Sequence, residues 1–201
     1  MAFTYFFRDI QTLEMVRDHA LPVMRSHKYI NIWDAGCANG PEPYTLAIVL
    51  RENMGQFLFR NVSIFATDID ESNLFGDVIN DGIYTMQELE RIPQYILDRY
   101  FLPNEQPGHV IISGEIRKAV HFLQHDLLSL EPVRKELGLI VCKNVILHFT
   151  EEGRINVLKM FHSALAADGF LALEQTQKLP EEVEHLFEPV VSNAQLFKKV
   201  V

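Results

Sequence analysis

The chain has 201 residues, 48% hydrophobic and 22% charged, which suits one globular domain with an ordinary core. A net charge of −9, with basic residues no more concentrated than isolated pairs such as Arg117-Lys118, argues against a nucleic-acid surface. Two distant cysteines without zinc spacing, a start unlike a signal peptide, and no run near the ~18 apolar residues of a membrane span exclude a disulfide framework, a structural zinc site and a membrane protein, so a cytoplasmic protein is expected.

In chain order, Ile10, Leu13, Val16, Ala20 and Met24 recur at helical spacing, with Pro22 breaking the helix late. Tyr29 to Trp33 reads as a short strand running into Asp34-Ala35-Gly36-Cys37-Ala38-Asn39-Gly40. Pro43 then stands near the start of a helix through Tyr44, Leu46, Ile48 and Leu50, where proline costs least. Val62 to Thr67 predicts a second strand ending at Asp68, followed by a helix to about Asn80 that Gly82 closes. Residues 86–101 read as further helix interrupted at Pro93, and 110–113 and 119–124 as two β runs. A strand over 138–142, a helix over 151–167, a strand over 170–173 and a hairpin around Ser192-Asn193 complete the pattern. Strands alternating with helices predict an α/β fold, a mostly parallel Rossmann-like sheet with helices on both faces. The chain reads as one domain over 1–201, with a small β-rich insertion at about 102–122.

In such sheets ligands bind beyond the carboxyl ends of the strands. The first strand ends in D-x-G-x-x-x-G, where small residues let the backbone approach a ligand and the next helix offers free N–H groups. Asp68, at the end of the second strand, suits the two hydroxyls of a ribose. The loop is neither GxGxxG nor a GK[ST] phosphate loop. Its one charge, Glu42, would repel a diphosphate. A cationic ligand with a ribose fits better, and S-adenosylmethionine, with its sulfonium and ammonium, answers that description.

Seven segments, in order and at compatible spacing, resemble the CheR family of chemotaxis receptor methyltransferases. They are Thr4-Tyr5-Phe6-Phe7-Arg8-Asp9, then Trp33 to Tyr44, then Ala66-Thr67-Asp68-Ile69-Asp70 and Gly82-Ile83-Tyr84. Asp126-Leu127, then Cys142 to Phe149, then Asp168-Gly169 follow. The resemblance implies S-adenosylmethionine as cofactor, S-adenosylhomocysteine as product, and methyl transfer to glutamate side chains of methyl-accepting chemotaxis receptors. It implies that Thr4, Arg8 and Gly36 border the cofactor and that Glu42 holds its ammonium. Asp68 would bind the ribose and Asp126 and Leu127 flank the adenine, while Lys143 and Asn144 line the region near the sulfonium. Arg8 and His148 would border the reacting centre.

A glutamate carboxylate, with a reference pKa of about 4.3, is already an ionised nucleophile at neutral pH. Such a transfer needs in-line approach and a held carboxylate, without a general base. Arg8 can grip a carboxylate with two N–H groups, as lysine cannot. Asn144 and His148, four apart, share a face if they stand on one helical turn.

The chain departs from the family at His148, where tyrosine is usual, at Lys143, usually arginine, and at Pro41, usually glutamate. The family's separate helical N-terminal domain is absent from this sequence. The expected insertion has no Gly-x-Gly loop of the kind on which family members dock a receptor tail. Cys37 and Cys142 read as small core residues, as do Phe6 and Phe7. His121 and His125 lie on a strand that spreads rather than gathers ligands, so no metal is expected. Glu174 reads as a site carboxylate or a solvated strand end. Two other functions stay open: methyl transfer to a different acceptor, and a non-catalytic sensor that binds the cofactor or its product.

Overall fold

The computed structural model describes residues 4–201. Helix α1 (Ile10–Met15) passes through a π turn over Val16–Ala20 into α2 (Leu21–Met24). Pro22 has no N–H to give the preceding turn, and the wider turn, in which Leu21 donates to the Val16 carbonyl, keeps the chain helical past it. Strand β1 (Ile30–Ala35), helix α3 (Pro41–Phe59) and strand β2 (Val62–Asp68) follow. Next come α4 (Phe75–Asp81), β3 (Ile83–Thr85), α5 (Gln94–Tyr100), β4 (Phe101–Pro103), β5 (His109–Ile112) and α6 (Gly114–Arg117). The chain closes with β6 (Val120–Gln124), β7 (Leu137–Cys142), α7 (Glu151–Ala164), β8 (Leu165–Leu173), α8 (Glu181–Glu184), β9 (Phe187–Pro189) and β10 (Leu196–Lys199).

Seven strands form the main sheet in the order β6-β2-β1-β7-β8-β10-β9. The first five are parallel to one another, and β10 runs antiparallel to both β8 and β9. The alternation along β1 shows why both faces are covered. Ile30 and Ile32 pack in one core with Leu46, Ile48 and Leu50 of α3. Trp33 and Ala35 pack in a second core with Val157, Leu158 and Phe161 of α7. Trp33 is fully buried, and its indole N–H donates to the Thr67 hydroxyl at 2.8 Å, so its polar edge is satisfied inside that core.

Three expectations need correction. The small sheet is β3-β5-β4, so it begins at Ile83 rather than at about 102. Val120–Gln124 belongs instead to the main sheet, where Ile64 to Asp68 of β2 pair with it. The helix expected over 86–101 is a 3₁₀ turn, Met86–Leu89, and then α5. The Thr85 hydroxyl and the Glu88 carboxylate cap that turn reciprocally, and α5 starts only after Pro93. The helix expected to reach 167 ends at Ala164, because Leu165 already pairs with Leu137 as β8. Among the described residues, no helix is long and apolar enough to cross a membrane.

Candidate active site

The carboxyl ends of β1, β2 and β7 open into a cavity of about 460 Å³. The loop after β1 is pinned to the end of β2, since Gly36 and Cys37 donate their N–H groups to the Thr67 carbonyl at 2.7 and 2.9 Å. Gly36 has φ 96°, and a Cβ there would lie 2.0 Å from the Val145 side chain. Only glycine lets these two loops touch. Gly40, at φ 103°, leads into α3, with Pro41 at its first position. The Tyr84 hydroxyl donates to the Asn39 carbonyl at 2.9 Å, and the Tyr44 hydroxyl donates to the Ile79 carbonyl. The buried Tyr84 phenol therefore braces the loop, and that of Tyr44 ties α3 to α4.

The N-terminal segment forms another wall. Phe6 is fully buried, edge-on to Tyr84 at 4.9 Å and to Phe101 at 5.7 Å. The Phe7 N–H donates to the Thr45 hydroxyl at 3.0 Å, which ties the segment to the first turns of α3. Phe7 and Asp9 take the left-handed conformation, φ 60° and 48°, and so turn the chain on either side of Arg8. Thr4 and Arg8 line the cavity. Phe6 is core as expected, while Phe7 is half-buried against it.

Of the expected site residues, Thr4, Arg8, Gly36, Glu42, Asp68, Lys143, Asn144 and His148 all line this one cavity. Asp126 and Leu127 line a smaller cavity of about 100 Å³. Gly36, Asp68 and Val145 border both, so the two are compartments of one cleft. The Asp68 carboxylate accepts from the Ala38 N–H at 3.0 Å through one oxygen and from the Asp70 N–H at 3.1 Å through the other. Both oxygens are thereby held in position while lone pairs remain for hydroxyl donors. Asp126 accepts from the Leu128 N–H at 2.8 Å and caps a 3₁₀ turn, Leu127–Ser129.

Lys143 and Glu42 form an ion pair, Nζ to Oε2 2.7 Å, with side-chain exposures of 1% and 12%. Lys143 also donates to the Arg8 carbonyl at 3.4 Å. Beside them stands Asp34, whose chemistry sequence reasoning missed. It is fully buried, and neither carboxylate oxygen has a hydrogen-bond partner among the described residues. Burial pushes its carboxyl well above the ordinary range, the Glu42 charge adds to the shift, and Lys143 opposes it. The only sequence signal was an acid at the end of a strand otherwise wholly apolar on that face.

Asn144 sits at φ 60°, and its amide donates to the Glu174 carboxylate at 2.7 Å. Glu174 also accepts from the Thr176 hydroxyl, so it is a second-layer support that orients Asn144. The helical turn expected to carry both Asn144 and His148 covers only Ile146–His148. Both side chains still reach the cavity, and His148 is exposed at it. Cys37 and Cys142 are buried, and burial raises both thiols, so neither is a nucleophile at neutral pH.

This donor set fits a cationic nucleoside. Glu42 at the start of α3 and Asp68 at the end of β2 both face the cavity, and the buried Asp34 carboxyl stands beside Glu42. The fold is Rossmann-like, with the cleft at the carboxyl ends of its parallel strands. The rRNA methyltransferase aviRa from Streptomyces viridochromogenes shares the fold, with a TM-score of 0.55, 12% identity and coverage of 98% of this chain and 86% of that one. PKMT2 from Rickettsia typhi, solved with AdoHcy, aligns with a TM-score of 0.50 and 13% identity over 86% of this chain and 26% of that one. Residues 2–196 match the family described as CheR methyltransferase, SAM binding domain, and the chain belongs to that family. Cher3 of Pseudomonas putida is 32% identical over 96% of this chain and 71% of its own length. Chemotaxis protein methyltransferases of Borreliella burgdorferi and Pseudomonas aeruginosa are each 32% identical, over 88% and 83% of this chain. The chain spans 64% and 59% of the lengths of those two relatives.

Proposed function

We propose that this domain acts in the cytoplasm and transfers a methyl group from S-adenosylmethionine to glutamate side chains of methyl-accepting chemotaxis receptors, forming γ-methyl esters. One observation carries the reading: Arg8 and His148 line the same cavity as Glu42 and Asp68. A grip for a carboxylate thus opens onto a seat for a cationic nucleoside. When bound, S-adenosylmethionine supplies a methyl group on a sulfonium as the electrophile.

The chain's own residues do the rest. Asp68 accepts from the ribose hydroxyls, and Asp126 and Leu127 flank the adenine in the smaller compartment. Glu42, with Asp34 behind it, holds the ammonium. Lys143 pairs with Glu42 and opposes the rise of the Asp34 carboxyl. Asn144, oriented by Glu174, lines the cavity near the reacting centre. Arg8 holds the acceptor carboxylate through its planar fork. That carboxylate is ionised at neutral pH, so no side chain need take a proton. The catalytic contribution is then positioning and exclusion of water.

The test is transfer of tritiated methyl from S-adenosylmethionine to a chemoreceptor cytoplasmic fragment. Label released by mild base as methanol marks an ester. Base-stable label would move the acceptor to a hydroxyl or amine. His148 favours that second reading, because an imidazole at the cavity can accept a proton as tyrosine cannot.

A further inference from the structure

Tyr5 holds a second guanidinium beside the site. The Arg91 guanidinium lies over the Tyr5 ring, 4.1 Å from its centroid, and Arg8 lies over the same ring at 5.9 Å. Arg91 comes from the loop ahead of α5, remote in sequence from Arg8, and its side chain is exposed. Among the described residues it has no carboxylate at ion-pair distance. Arg17, Arg51 and Arg99 each have one. In a chain of net charge −9, two arginines share one aromatic ring beside the cavity, and the outer one has no ion-pair partner among the described residues.

An aromatic face restrains a guanidinium without using its N–H donors. The five donors of Arg91 therefore stay available to a partner while the side chain loses less freedom on binding. Arg8 lines the cavity, so whatever Arg91 meets lies beside the group that Arg8 meets. The partner that fits is an acidic polypeptide segment. One carboxylate enters the cavity, and a flanking carboxylate stays outside.

Resting on the methyl-transfer reading above, we propose that Arg91, positioned by Tyr5, is a specificity-determining residue that recognises a carboxylate flanking the methylated glutamate. It touches neither the reacting atoms nor the cofactor. Its effect falls on acceptor binding and on selection among acceptors. A rim charge of this kind acts chiefly on association and is weakened by salt.

The test uses the full chain saturated with S-adenosylhomocysteine and two fluorescent synthetic peptides. Each carries one central glutamate, flanked by glutamates in one peptide and by glutamines in the other. Anisotropy is expected to show the glutamate-flanked peptide binding about 3–5-fold tighter at low salt, the scale of an exposed charge pair. Arg91→Gln should abolish that preference and leave S-adenosylhomocysteine affinity unchanged. Arg91→Lys should retain part of it. A purely structural role would lower the melting temperature and leave the preference intact, and that result overturns the proposal. Tritiated-methyl transfer to the same peptides separates the two readings. Arg91-dependent binding without transfer would keep the acidic-segment surface and overturn methyl transfer to glutamate. Transfer that ignores Arg91 would do the reverse, and absence of both binding and transfer would overturn both.

Discussion

Lys143 and Glu42 meet at 2.7 Å in the wall of the cavity, and the lysine is all but sealed from solvent. Their pairing bridges the end of β7 and the first turn of α3, and it balances a site that also holds Asp34. Removing one partner of a buried pair leaves a charge without compensation. Lys143→Met should therefore destabilise the chain by roughly 3–5 kcal/mol. Lys143→Arg, the family's usual residue, should cost far less. Urea unfolding monitored by circular dichroism checks both, and a Lys143→Met protein as stable as the parent would contradict the pair's role.

Asp34 works in the opposite direction. Its carboxyl is raised, so the folded chain holds a proton that the unfolded chain releases near the ordinary value of 3.8. The stability linked to that proton is present below 3.8 and is lost as pH rises through the raised folded value. Asp34→Asn removes the ionisation and with it the repulsion from the Glu42 charge. It should raise the melting temperature, and by more at pH 8 than at pH 5. The same change should weaken S-adenosylhomocysteine binding. A melting temperature that falls, with an unchanged pH profile, would refute the assignment.

Asp68 supports both the loop and, in our reading, the ribose. Isothermal titration should find S-adenosylhomocysteine binding well below millimolar. Asp68→Ala should weaken it by roughly 1–3 kcal/mol, because the Ala38 and Asp70 N–H groups lose their acceptors as well. Binding of NAD with no response to S-adenosylhomocysteine would overturn the cofactor assignment.

Arg8 and His148 separate the acceptor from the cofactor. Arg8→Lys should reduce turnover more than cofactor affinity, since a point charge replaces a fork. Equal losses would put Arg8 in the cofactor shell alone. His148→Tyr should keep or raise the rate, and His148→Ala should lower it by about 10-fold, the scale of a positioning contact. Abolished turnover in His148→Ala with intact binding would mean proton transfer, and an acceptor other than a carboxylate.

Much of this cleft was legible in the chain because each part is local. The strand ending at Asp34-Ala35-Gly36 and the one ending at Asp68 announce their own carboxyl ends, and parallel pairing brings those ends together. What stayed hidden depends on partners far along the chain. The bond from Asn144 to Glu174 spans 30 residues and links two loops, so no spacing rule reveals it. Asp34 reads as an ordinary acid until α3 and β7 close over it and leave its oxygens without donors. The small sheet was misplaced because Ile83–Thr85 has only three residues. Val120–Gln124 looks the same whether its neighbour is a short hairpin or β2. Arg91 lies in a polar stretch, and only the fold lays it on Tyr5.

The strand order has a kinetic consequence. Because β1 sits between β2 and β7, its second neighbour arrives only after about 100 residues of intervening chain, whose closure is slow. Neither half of the chain contains the cleft, so a partly folded chain has nothing for the nucleoside to hold. S-adenosylhomocysteine added to a stopped-flow experiment should therefore leave the refolding rate unchanged and slow unfolding in proportion to its occupancy. The ligand would act as a latch on the finished sheet rather than as a template for its assembly.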